Sequence, residues 1–243
     1  MEAREHIIEV KDMVKKFGSF TANDHLTFHV ERGEIFGFLG ANGAGKTTAM
    51  RILCGLSYPT SGEIRVAGHD VYHERERIKR KIGYMSQKFS LYEDLTVSEN
   101  IHLYAGIYGL GRKQIVVREE QLLERLGLTD VRNRLIKEIP LGWKQKLAFS
   151  VAIFHQPAIV FLDEPTGGVD PITRRQFWEM IHDATDEGIT VFVTTHYMDE
   201  AEYCDRVSIM VDGRIDALDT PAALKKQFES ENMNEVFLKL ARS

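Results

Sequence analysis

The residues best suited to chemistry begin at Gly40. From there to Thr48 the chain reads Gly-Ala-Asn-Gly-Ala-Gly-Lys-Thr-Thr, the spacing Gly-x4-Gly-Lys-[Ser/Thr] with Gly40, Gly45, Lys46 and Thr47 in register. A loop that wraps a polyphosphate must turn its backbone N–H groups inward, and glycine adopts the required left-handed dihedrals at little cost. Lys46 then brings a point charge to the β- and γ-phosphates. Thr47 offers a hydroxyl to Mg²⁺ at a helix N-terminus whose dipole favours anions. A second group of reactive side chains lies far along the chain, where Asp163-Glu164 follows the apolar run Ala158 to Leu162. An aspartate there can hold Mg²⁺, and the adjacent glutamate can orient and deprotonate a water.

Three further residues have two readings each. Gln87 is either an ordinary loop amide or, just past a strand end, a group reaching the metal or the attacking water. His196 is polar surface or a γ-phosphate sensor. Phe17 is a buried core aromatic or a platform for an adenine ring.

These side chains need elements to position them. Glu34 to Leu39 reads as a buried strand entering the loop, and Thr47 to Leu56 has apolar residues at helical spacing. Ile7 to Val14 and His25 to Val30 alternate as antiparallel strands around Phe17-Gly18. Glu63 to Val66 is another strand, closed by Gly68-His69-Asp70. Residues 73–81 suggest a solvated helix, and Ile82 to Met85 a short strand ending at Gln87. Thr96 to Glu99 is a capping box opening a helix through Tyr108, and a second helix runs from Arg112 to Leu126, ending at Gly127. No strand pattern interrupts residues 88–155, so a helical insertion is expected there. Within it, Phe89-Ser90-Leu91-Tyr92 is either internal packing or a docking surface for a partner. Asp170 caps a helix with Pro171 at its first turn. Thr190 to Thr194 is a strand, Asp212-Gly213 joins two more, and Thr220-Pro221 starts the final helices.

Composition narrows the function classes. The 243 residues carry 43% hydrophobic and 28% charged residues, which suits one globular α/β unit with an insertion. A net charge of −5 lacks the basic footprint of a nucleic-acid binder. Cys54 and Cys204, the two cysteines, are far apart and imply neither a disulfide framework nor a metal site. No run approaches the roughly 18 apolar residues of a membrane span, so a span, if one is needed, comes from another polypeptide. The N-terminus lacks the apolar core of a signal peptide, and a reducing cytosolic setting is expected.

The ordered set of Gly40–Thr48, Gln87, Asp163-Glu164, Gly167 to Asp170 and His196 resembles the nucleotide-binding subunit of an ABC transporter over nearly the whole chain. The resemblance is to efflux-type bacterial exporters in particular, through the signature variant and the segment Glu235 to Leu240. It implies an α/β fold of the P-loop NTPase type, with a RecA-like core, an antiparallel β edge subdomain and an α-helical insertion. The implied division is 1–87 and 156–219 as catalytic core, 88–155 as helical subdomain and 220–243 as helical tail, with no room for an appended regulatory domain.

The resemblance also assigns roles. ATP would be bound by Phe17, Gly40, Asn42, Gly43, Ala44, Gly45, Lys46, Thr47 and Thr48, with Gly142 and Asp170 contributing across a dimer. Mg²⁺ would be held by Thr47, Gln87 and Asp163. Glu164, His196, Gln87 and Lys46 would be catalytic. The implied partners are a transmembrane permease subunit or domain and a second nucleotide-binding domain, at the cytoplasmic face of a membrane. One motif departs from the family pattern: where Leu-Ser-Gly-Gly is usual, this chain has Ile139-Pro140-Leu141-Gly142. Pro140 has neither hydroxyl nor N–H, so the contact to a partner's γ-phosphate is expected to be altered. A soluble ABC-type ATPase acting on ribosomes or DNA is the alternative reading, and an enzymatically dead regulatory cassette a third.

Overall fold

The computed structural model describes residues 5–87 and 91–241. Two sheets share the chain. Strands β1 (His6–Phe17) and β2 (Phe20–Glu31) form an antiparallel hairpin around Gly18-Ser19. The first also pairs with β4 (Ser61–Val66), which turns back into β5 (His69–Asp70), giving the order β2-β1-β4-β5. The sequence predicts Gly68-His69-Asp70 as the turn that closes β4. The backbone adds a two-residue strand, because Ala67 and Gly68 both take positive φ (50° and 80°), the turn geometry that matches strand twist. The antiparallel strands thus build a sheet of their own.

The second sheet has the order β10-β9-β3-β8-β7-β6. Its strands are β3 (Ile35–Gly40), β6 (Ile82–Met85), β7 (Ile159–Asp163), β8 (Thr190–Thr195), β9 (Arg206–Val211) and β10 (Arg214–Asp219). All neighbours are parallel except β9 and β10, the hairpin turned by Asp212-Gly213. Every residue of β3, β7 and β8 is buried, as parallel strands covered on both faces must be.

Each face of this sheet carries its own core. On one side Phe36, Phe38 and Phe192 meet Phe28 of β2, with ring centroids 5.8, 5.5 and 6.4 Å from it, and α1 (Lys46–Leu53) inserts Ala49, Met50, Ile52 and Leu53. On the other side Leu162, Val191 and Val193 pack with Phe149 of α5 (Leu141–Ile153) and with Phe177 and Trp178 of α6 (Pro171–Asp186). The antiparallel sheet therefore lies over the face of the parallel sheet that holds α1. Helix α2 (Arg75–Lys81) precedes β6.

The stretch before α5 is helical, as expected. Helix α3 (Val97–Ile107) starts at a complete capping box on Thr96 and Glu99, and α4 (Arg112–Leu126) ends on left-handed Gly127. Tyr108, at the end of α3, stacks on His155 at 3.6 Å between centroids and ties the helical segment to the start of β6, because His155 also bonds the Ile82 carbonyl oxygen. Helices α7 (Pro221–Gln227) and α8 (Met233–Leu240) bury Leu224, Met233, Val236 and Leu240 in the same core as α5 and α6. Among the described residues no helix is long and apolar enough to cross a membrane. Leu91 is buried and Tyr92 exposed, while Phe89 and Ser90 lie outside the described residues.

Candidate active site

Parallel sheets present their ligand groups beyond the carboxyl ends of the strands, because loops leaving those ends converge on one edge. Here Gly40–Thr48 follows β3, Gln87 follows β6, Glu164 follows β7 and His196 follows β8. One sheet edge thus collects residues separated by more than a hundred positions in the chain.

The loop after β3 is shaped from both sides. Gly45 sits at φ +100°, and a Cβ there would run into the Ala22 carbonyl oxygen and approach Asn23 Nδ2 at 2.7 Å. Gly40, at φ +155°, faces the Met210 carbonyl oxygen of β9, 2.5 Å from where its Cβ would be. Asn23, fully buried on β2, donates from Nδ2 to the Gly45 carbonyl oxygen at 3.1 Å. The antiparallel sheet therefore seats the loop, a role that alternation in β2 does not reveal.

Lys46 is 4% exposed and folds back over this loop, donating to the carbonyl oxygens of Gly40 (2.8 Å) and Ala41 (3.1 Å). Burial holds its ammonium below the usual lysine range, opposed by the Glu164 carboxylate 3.6 Å away. An arriving polyphosphate would offset that desolvation by Coulomb attraction. Beside it, Asp163 Oδ1 accepts from the Thr47 hydroxyl at 3.2 Å and from the Thr194 hydroxyl at 2.7 Å. Thr194 is a second residue that sequence reasoning passed over, since a threonine within a strand looks like any β-former.

Glu164 is the meeting point of the site. Its backbone is left-handed (φ +47°), a sparsely populated state for a non-glycine residue, held by bonds from its N–H to the Thr194 carbonyl oxygen (3.1 Å) and hydroxyl (3.2 Å). Its carboxylate accepts from Gln87 Nε2 at 2.8 Å, with His196 Nδ1 3.1 Å from the same oxygen and Lys46 on the other. All four residues expected to be catalytic are therefore grouped around one carboxylate.

A cavity of about 320 Å³ borders Lys46, Gln87 and Glu164 of this group and is lined also by Phe20, Ala22, Asn42, Gly43, Gly45, Thr47 and Thr48. Phe17 pairs with Phe20 across the hairpin and is 56% exposed, so it is not a core aromatic; Lys15 Nζ lies 4.8 Å from its ring centroid. Phe20, 63% exposed, is the aromatic on the cavity wall, and the sequence reading missed it because one hairpin residue was weighed without its cross-strand neighbour.

Gly142 and Asp170 stand apart from the cavity, at the amino ends of α5 and α6. Asp170 caps α6, accepting from the N–H groups of Ile172 and Thr173 (both 3.0 Å) and from the Thr173 hydroxyl (2.6 Å). Gly142 rests against Thr173, whose Cγ2 would lie 2.7 Å from a Cβ at 142. Pro140 caps α5 without any side-chain hydrogen bond, and Leu141 and Trp143 remain 39% and 37% exposed.

A phosphate loop, a buried aspartate on its threonine and a glutamate bonded by a glutamine beside a histidine define a nucleotide-site architecture on a P-loop α/β fold. Comparison with known proteins agrees. The ABC transporter family model matches residues 23–167, and the chain belongs to that family. It is 46% identical over 241 residues, or 97% of its length, to the probable multidrug ABC transporter ATP-binding protein YbhF of Escherichia coli (strain K12), of which it spans 42%. It is 38% identical over 211 residues to the bacitracin transport ATP-binding protein BcrA of Bacillus licheniformis, covering 86% of this chain and 68% of that one. A solved ATP-binding subunit of an ABC transporter superposes with a TM-score of 0.86 at 29% identity, covering 96% of this chain and 99% of that structure.

Proposed function

We propose that this chain binds MgATP, hydrolyses it to ADP and phosphate, and so powers export through a transmembrane partner at the cytoplasmic face of a membrane. The observation that carries the reading is the convergence of Lys46, Gln87 and His196 on Glu164, beside the Thr47–Asp163 contact. In it the loop N–H groups of residues 40–48 and Lys46 hold the phosphates, and Phe17 with Phe20 flank the base. Glu164 takes the proton of a water attacking the γ-phosphate in line, with Gln87 aligning that water and His196 contacting the γ-phosphate.

Hard oxygen donors suit Mg²⁺, and the buried Asp163 carboxylate with the Thr47 hydroxyl and the Gln87 amide fits that demand. The ion, when bound, supplies neutralisation of phosphate charge. Helices between residues 88 and 155 act as a subdomain against the 1–87 and 156–219 core, and 220–243 as a helical tail. Gly142 and Asp170, which do not line the chain's own cavity, serve a second nucleotide-binding unit, which is why a dimer belongs to the proposal. The names of YbhF and BcrA support drug-like compounds as cargo.

The test is Glu164→Gln in the full-length protein: ATP binding stays within a few-fold while turnover falls by about two orders of magnitude. Steady-state hydrolysis at the wild-type rate would refute Glu164 as base.

A further inference from the structure

Behind the site lies a buried carboxylate that the hydrolytic reading leaves without a task. Glu200 sits in the short turn Met198–Tyr203 after β8 and is fully buried. One carboxylate oxygen accepts a short hydrogen bond from the Thr166 hydroxyl, itself 1% exposed, and lies 3.6 Å from Arg174 Nε. Thr166 opens the loop 166–170 that ends at the Asp170 cap, and Arg174 is one helical turn into α6. The same guanidinium lies over the Tyr197 ring at 4.4 Å, and Tyr197 packs on His196 with centroids 4.1 Å apart. The Glu200 N–H in turn bonds the Tyr197 carbonyl oxygen at 3.2 Å. From the other side, Gln145 of α5 donates to the Gly167 carbonyl oxygen at 3.3 Å.

We propose that Glu200 is a positioning residue for turnover, clamping the 166–170 loop to the segment that carries His196 so that the two move as one unit. This proposal rests on the ATPase reading. Burying a carboxylate is costly unless it is paired, so a surface polar turn would be the easier solution if only the fold were at stake. Burial raises the Glu200 pKa, and the Thr166 and Thr195 hydroxyls and the Arg174 charge act against it. The consequence is directional. A partner seated on the amino ends of α5 and α6 would press on loop 166–170, and the Thr166–Glu200 bond would carry that displacement to His196 beside Glu164.

The test uses the full-length protein and reads kcat and KM for ATP together with the dissociation constant of a fluorescent ATP analogue. Thr166→Val and Glu200→Gln should each lower kcat by about tenfold with KM and analogue affinity within about twofold, since misplacement near the reacting centre costs rate rather than ground-state binding. Thr166→Ser, which restores the hydroxyl, should recover the wild-type kcat. The double variant should lose no more than the worse single one, as expected for two ends of a single contact. Losses that multiply in the double variant, or a kcat that stays at wild type in both singles, would overturn the proposal. Should Glu200→Gln fail to fold, the Thr166 Val and Ser pair decides alone. A wild-type protein without turnover sinks the ATPase reading and this proposal together, whereas active variants beside an active wild type sink only this one.

Discussion

The carboxyl ends of β3, β6, β7 and β8 and the amino end of α5 treat polar groups in opposite ways. At the strand ends, Lys46 is met by two carbonyl oxygens and Glu164, and Glu164 by Gln87 and His196. At the α5 end, Pro140 supplies no side-chain cap, Leu141 and Trp143 are exposed, and Gly142 is spent on close packing with Thr173, whereas Asp170 caps the neighbouring α6. The first region is assembled by the chain itself, because buried charges demand partners within reach. The second leaves an uncapped helix end and two apolar side chains at the surface. That difference fits the function proposed above, in which the chain assembles one half of a site and offers its α5 end to a second unit.

Removing charge from the self-assembled region should have the largest effect. Lys46→Ala leaves Glu164 with one fewer counter-charge and the phosphates with none from this side chain, so ATP turnover should fall by about 10²–10³-fold in a coupled-enzyme assay. A variant that keeps its rate would show that the loop amides suffice. Glu164→Gln should separate the two regions: with hydrolysis blocked and ATP saturating, the protein should self-associate through the α5–α6 face, as read by light scattering. A strictly monomeric mutant under those conditions would break the comparison, since the open face would then have no second unit to serve.

Smaller effects sharpen it. Phe20→Ala and Phe17→Ala should each weaken nucleotide binding by about 1 kcal/mol, the lower end of base–aromatic stacking, with no change for inorganic triphosphate. Gly142→Ala forces a methyl against Thr173 and should cost about 1 kcal/mol, or about 2–4 °C in Tm for a chain of this size. Thr173→Ser, which removes the clashing methyl, should restore it.

A last effect lies outside both regions, at the joint between α3 and β6. Burial depresses His155 to about 4, below its ordinary value of 6.5. Its neutral form is therefore the one the fold favours. The stability it contributes is present above pH 6.5 and is lost as pH falls toward 4 while the unfolded chain takes up the proton first. His155→Phe should flatten the drop in Tm between those two pH values, and an unchanged slope would assign it to other groups.

Much of this was legible along the chain. The strands Ile35–Gly40 and Ile159–Asp163 are short apolar runs, the cap on Thr96 follows from Glu99 three residues on, and the stop at Gly127 follows from glycine's ease in the left-handed cap position. Gly40–Thr48, Asp163 and Glu164 are local patterns whose chemistry follows from residue type and spacing. Less was legible where the deciding contact is distant in sequence. Asn23 on Gly45, Thr194 on Asp163, Phe20 opposite Phe17 and Glu200 on Thr166 are ordinary residues in ordinary elements until the sheets and helices stack.

Residue type and spacing by themselves determined the phosphate loop, the acidic pair and the alternation of strands and helices, because backbone dihedrals, caps and charge are set within a few residues. Only the tertiary structure decided that Gln87, Glu164 and His196 share one carboxylate-centred cluster while Gly142 and Asp170 lie outside the cavity lining, at the amino ends of α5 and α6. The order of strands in a sheet, and the direction a helix end points, depend on burying apolar faces contributed by the whole chain.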